Sequence, residues 1–263
     1  MVIKASAAVF AVLLMLSFGV AATPCETEDF LTKVSGGSEC LVMRRYGSSD
    51  PSTLVVWLHG NISTGGPANS HFKLAEATAK TFESEQMLAV ALVRPGYPDG
   101  TGEYSSGSDN GRADNWHRQT VVDVGSAIGR IKKRFNPKTT LIVGHSGGAA
   151  IAAVLLGLQP DLADAAVLIG CPCDMVSWRL GRSRTPWMSE DPLAWINQVS
   201  AHAKVTALTG DQDNTTPSAL AKTYISRLHE RSIKATFVPV PEAGHIDLLK
   251  SQLVMDAISE LIH

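Results

Sequence analysis

Seven short apolar runs mark this chain: 40–46 (CLVMRRY), 53–58 (TLVVWL), 87–93 (MLAVALV), 140–143 (TLIV), 165–170 (AAVLIG), 204–209 (KVTALT) and 234–240 (KATFVPV). Most of the central ones are continuous. A strand buried on both faces looks like this, whereas a half-exposed strand alternates apolar and polar positions. Between them lie helical patterns, over about 71–84, 116–134, 147–158, 217–231 and 246–262. Strands alternating with helices predict an α/β fold with a mostly parallel, doubly wound sheet. In such a sheet the crossovers are right-handed, and the working residues gather at the carboxyl ends of the strands.

Two segments break the rhythm. Residues 94–115 are long and rich in Gly, Ser and Asp. Residues 172–203 carry Trp178, Trp187 and Trp195 but no strand pattern, and are expected to form a small lid insertion. Long irregular segments inside a compact domain are more often functional than accidental. Both follow strand ends, so both should overhang one edge of the sheet. No linker, repeat or low-complexity tract divides residues 23–263, which are expected to form a single domain.

The first 22 residues are different. Lys4 precedes an uncharged apolar run that ends with small residues at Val20 and Ala22. This is the pattern of a secretory signal peptide cleaved after Ala22. The run is short for a membrane span, so no stable membrane insertion is expected after cleavage. The chain is therefore expected to be exported, to the periplasm or the exterior.

Export changes how the four cysteines are read. An even number in an oxidising compartment favours disulfides. Cys25–Cys40 with Cys171–Cys173 is the preferred pairing; the rival joins each early cysteine to one of the later pair. The spacing does not suit a metal site. Neither a metal nor an organic cofactor is implied. The net charge of −2, without a basic cluster, argues against a nucleic-acid surface.

The strongest chemical signal is Gly144-His145-Ser146-Gly147-Gly148, at the joint between a predicted strand and a helix of small and apolar residues. A serine on such a sharp turn projects above the sheet, with the positive end of the helix dipole beneath it. Activating a serine takes a base, and the base takes a partner that fixes its tautomer. Downstream, each after a strand, come "GDQDNTTP" (210–217) and "AGH" (243–245). His245 is the candidate base. Asp213 and Asp211 are both candidate acids.

With "WLHGN" at 57–61, these motifs resemble the α/β-hydrolase superfamily from about Val42 to the C-terminus. The family often places its acid in Gly-x-x-Asp-x-x-x-Pro. Gly210, Asp213 and Pro217 match, which favours Asp213. The resemblance implies a Ser146–His245–Asp213 triad, with the Asn61 and Gly147 amides as oxyanion hole and His59 as loop support. Arg94, Trp178 and Trp187 are candidate substrate contacts.

The function implied is ester hydrolysis through a covalent acyl-enzyme. The alternatives are a serine peptidase of the prolyl aminopeptidase or oligopeptidase type, and a non-catalytic binding protein on the same fold. The expected partner is a small ester or a short peptide; oligomeric state is not legible.

Overall fold

The computed structural model describes residues 25–112, 116–182 and 189–263. The expected signal segment and Trp187 lie outside the described residues.

Eight strands form one sheet: β1 (Lys33–Gly36), β2 (Glu39–Gly47), β3 (Thr53–Leu58), β4 (Met87–Leu92), β5 (Thr139–His145), β6 (Ala165–Ile169), β7 (Lys204–Gly210) and β8 (Lys234–Val240). Their order is β1-β2-β4-β3-β5-β6-β7-β8. β2 runs antiparallel to β1 and β4, and every other pairing is parallel. The helices are α1 (Ser70–Thr81), α2 (Arg118–Phe135), α3 (Gly147–Leu158), α4 (Met175–Leu180), α5 (Ser218–His229) and α6 (Gln252–Ile262).

The continuous apolar runs are the inner strands, and β3, β4 and β6 are buried at every residue. Successive strand side chains point to opposite faces. Leu54, Val56 and Leu58 therefore join α2, α3 and α5 in one core, while Val55 and Trp57 join α1 and α6 in the other. The edge strand β8 is largely open to solvent, as its mixed sequence implies.

Three expectations need correction. β1 was not predicted: four residues are too few for a pattern, and pairing with β2 through Val34↔Leu41 and Ser35↔Cys40 is what makes them a strand. The predicted helix 246–262 is two pieces. A 3-10 turn covers Asp247–Lys250, Ser251 adopts an extended ψ of 133°, and its hydroxyl accepts the Leu253 N–H at the start of α6. Finally, part of the expected insertion belongs to the body of the protein. Ile196 and Val199 are buried in the same core as α3, and Trp195 lies directly on Gly157.

Two disulfides are present, Cys25–Cys40 and Cys171–Cys173, in the preferred pairing. The first ties Cys25 to β2. No helix among the described residues is long and apolar enough to cross a membrane.

Candidate active site

β5 ends at His145 and α3 begins at Gly147, so Ser146 alone makes the turn between them. Its φ of 53° and ψ of −118° lie where non-glycine residues rarely go. Such conformations cost free energy, and their surroundings hold them in place. The Ser146 N–H donates to the Ile169 carbonyl at the end of β6 (2.8 Å), and its carbonyl accepts from Ala149 and Ala150 (2.9 and 3.0 Å).

The flanking glycines are required by proximity. A Cβ on Gly144 would lie 2.4 Å from the Gly148 carbonyl oxygen; one on Gly148 would lie 2.3 Å from that of Leu58. Both distances are well inside van der Waals contact. The serine turn is thus pressed against the end of β3 and the His59-Gly60-Asn61 loop beyond it. A Cβ on Gly60 would come within 3.1 Å of Ser146 Cβ, and one on Gly147 within 2.7 Å of Asn61 Oδ1. Asn61 and Gly147 are neighbours in space, although they are 86 positions apart in sequence. Gly147 is the first residue of α3, where helix N–H groups lack intrahelical acceptors.

Asp213 and His245 also meet. Asp213 Oδ2 lies 2.8 Å from His245 Nδ1. A carboxylate only accepts, so Nδ1 carries the proton and Nε2 is left with its lone pair. The Asp213 side chain is fully buried and that of His245 is 13% exposed. Burial raises the Asp213 pKa, but hydrogen bonds from His245 and Thr216 outweigh it and hold the carboxyl below its usual range. Oδ1 accepts the Thr215 and Thr216 N–H groups (2.9 and 2.8 Å), and the Thr216 hydroxyl donates to Oδ2 (2.8 Å).

His145 braces His245 from the other side. Its Nε2 donates to the His245 carbonyl (3.0 Å), and the two rings lie 4.8 Å apart. Burial, with repulsion between the two neighbouring imidazoles were both to protonate, lowers its pKa to about 4, so it is neutral near pH 7. A Cβ on Gly170, just past β6, would lie 3.1 Å from the His245 ring. Ser146 and His245 therefore flank the same Ile169–Gly170 backbone. Among the described residues no hydrogen bond joins the Ser146 hydroxyl to the His245 ring; in ligand-free sites such bonds often tighten only when substrate binds.

Thr216 and Trp116 were not singled out from sequence. Thr216 stands three residues after Asp213, the spacing at which an Asp side chain collects local backbone donors, and that was the available signal. Trp116 covers Gly147 at 2.8 Å from a Cβ there, and stacks on Trp178 with centroids 6.2 Å apart. Trp178 donates its indole N–H to the Thr215 carbonyl (2.7 Å), which places it beside the Asp213 loop. Asp174 caps α4 through the Ser177 N–H. Asp211 is exposed at the surface, away from the imidazole that Asp213 holds.

Arg94 is not placed as a substrate contact. It is 2% exposed, and its guanidinium donates to the Gly60 carbonyl (3.1 Å) and to Asn61 Oδ1 (2.6 Å). The cavity beside it, lined by Asn61, Tyr97, Asp109 and Trp116 among others, measures ≈ 10 Å³, about the room one water needs.

Residues 55–206 match a model of the alpha/beta hydrolase family, and the chain belongs to that family. A search of curated proteins found no match. Among solved structures, the esterase Pf2001 of Pyrococcus furiosus is similar with a TM-score of 0.66 and 13% identity, over 88% of this chain and 90% of that one. Est1E from Butyrivibrio proteoclasticus, with ferulic acid bound, gives 0.64 and 14%, over 88% and 98%. A predicted CIB-like hydrolase from Thermoplasma acidophilum gives 0.61 and 15%, over 87% and 95%. At these identities the likeness is one of fold.

Proposed function

We propose that this protein is an exported serine esterase. One observation carries the reading: Ser146 sits on a positive-φ turn between the Gly60-Asn61 loop and the ring of a histidine held by a buried aspartate. Ser146 Oγ attacks the ester carbonyl while His245 Nε2 takes its proton. Asp213 keeps the proton on Nδ1 and stabilises the imidazolium that forms. The oxyanion is received by the Asn61 and Gly147 N–H groups, donors already aimed before charge develops. His245 returns the proton to the leaving alkoxide. Water, deprotonated by the same histidine, then attacks the acyl-enzyme and releases the carboxylic acid and Ser146.

An ester is favoured over a peptide for two reasons. Two of the similar structures are of proteins described as esterases or bound to ferulic acid. A peptidase would need a grip on a peptide terminus, for which the 94–115 loop offers Arg94, and Arg94 is engaged within its own fold. Export is supported by the two disulfides, which persist in oxidising compartments.

The test has two arms. A fluorophosphonate probe should label Ser146 in the folded protein and leave Ser146→Ala unlabelled. Short acyl esters should then be turned over much faster than aminoacyl or dipeptide amides. Absence of label on Ser146 sinks the serine mechanism; dominant amidase turnover sinks the ester assignment alone.

A further inference from the structure

The Gly60–Asn61 peptide unit has the carbonyl of Gly60 on one side and the N–H of Asn61 on the other. It is planar and trans, as are all the described peptide bonds, so these two groups point in opposite directions. Whatever anchors the carbonyl therefore aims the N–H. Two donors converge on that carbonyl: His59 Nδ1 at 2.7 Å and Arg94 Nη2 at 3.1 Å.

Arg94 acts at three points of this loop. Its backbone N–H donates to His59 Nε2 (3.0 Å). That makes Nε2 the acceptor and places the imidazole proton on Nδ1, where it faces the Gly60 carbonyl. The guanidinium supplies the second donor to that carbonyl. Through Nη2 it also holds Asn61 Oδ1 at 2.6 Å, fixing the side chain of the residue whose N–H is at stake. The Arg94 head lies over the Tyr97 ring, 5.1 Å from its centroid, in a buried setting. A cation bonded to a carbonyl in a low-dielectric site polarises the whole peptide, which strengthens the N–H at its far end as a donor.

We propose that Arg94 is a positioning residue that aims and polarises the Asn61 N–H toward the oxyanion of the reaction. The inference rests on the serine-esterase reading above. Arg94 touches no reacting atom in it; it acts through the Gly60–Asn61 peptide.

The experiment compares wild type with Arg94→Met, which keeps length but no donor, and with Arg94→Lys, which keeps the charge as a single point. Folding is followed by circular dichroism and thermal unfolding. Three quantities are read: kcat and KM on a short acyl ester, the inhibition constant of an alkylboronic acid, and that of the planar carboxylate product. The boronic acid adds to the serine as a tetrahedral anion and so reports on the oxyanion hole. Arg94→Met should lower kcat about 100-fold with KM moved by less than about threefold. Boronate affinity should fall in parallel with kcat, while product affinity is nearly unchanged. Arg94→Lys should lose at least about tenfold in kcat and recover part of the boronate affinity.

A folded variant that keeps kcat and boronate affinity within twofold of wild type overturns the inference. So does an equal loss of boronate and product affinity, because a merely structural residue would weaken both. If Arg94→Met does not fold, Arg94→Lys decides by the same criteria. Failure of the underlying reading looks different: wild type itself would then take no fluorophosphonate label at Ser146.

Discussion

The Thr216 hydroxyl donates to Asp213 Oδ2 at 2.8 Å and also lies 3.1 Å from His245 Nδ1. It therefore sits at the junction of Asp213 and His245, buried and without solvent access. Thr216→Val keeps the shape and removes this donor. It should lower kcat by roughly tenfold and destabilise the fold by about 1.5–3 kcal/mol, the range for a hydrogen bond to a charged group. Steady-state kinetics and urea unfolding on the same preparation measure both. Wild-type values in both would deny Thr216 any part in the site.

Asp213 and Asp211 make a matched pair of tests. Asp213→Asn replaces an acceptor with a group that no longer fixes the proton on His245 Nδ1. The rate should fall by about four orders of magnitude at neutral pH, with little change in fold. Asp211→Asn, on the exposed side of the same loop, should stay close to wild type. The reverse order of damage would move the acid to Asp211.

Close approach at the serine turn sets a third expectation. Gly148→Ala would drive a methyl into the Leu58 and His59 carbonyl oxygens, at 2.3 and 2.6 Å from the ideal Cβ position. Backbone atoms on both sides leave no side chain to swing aside. Such overpacking costs about 1–3 kcal/mol or more, and turnover should be lost with it. Chemical denaturation with a parallel ester assay checks this. Gly129→Ala, whose nearest atom would be 3.7 Å away, is the control expected to be neutral or mildly stabilising.

Acid should weaken the fold before it titrates ordinary carboxylates. Burial lowers His145 from 6.5 to about 4 and His71 from 6.5 to about 3. Below pH 6.5 the unfolded chain binds protons at these positions that the folded chain refuses. Stability therefore falls as pH drops from 6.5 toward 4 and 3, by a few kcal/mol in order of magnitude. Asp213, lowered from 3.8, adds a further loss only as pH falls below that value. Urea midpoints measured across this range should slope downward toward acid. His145→Gln should flatten part of the slope; an unchanged slope would remove His145 as its source.

What could be read in the chain divides along physical lines. Strands β3 to β7 were legible because burial on both faces leaves a continuous apolar run, and the Gly144–Gly148 turn because it stands at the joint of such a run and an apolar helix. The same holds for Asp213 and His245, each placed just after a strand. β1 was not legible, since four residues acquire strand character only from their partner in space. Ser251 broke a helix whose apolar spacing continued across it, because a local side-chain cap won over the pattern. Arg94 was a candidate substrate contact, and its side chain turns to the Gly60 carbonyl and Asn61 Oδ1: position in sequence predicts proximity to the site, not which way the side chain turns. Trp116 was seen only as a helix start, although its ring lies over Gly147 through a contact 31 positions away in sequence.

The strand order has a consequence for how the protein comes into being. β5, which leads into Ser146, lies between β3 and β6, and its register with β3 begins at Thr53 across from Thr139. Chain closure over that distance is slow compared with forming any single helix, and parallel neighbours offer no hairpin to start from. The sharp turn is stabilised only once β3, β6 and the loop beyond β3 have all arrived. During refolding, recovery of helical signal should therefore run ahead of recovery of turnover. The serine would come alive as one of the last events, making catalysis itself the marker that assembly is complete.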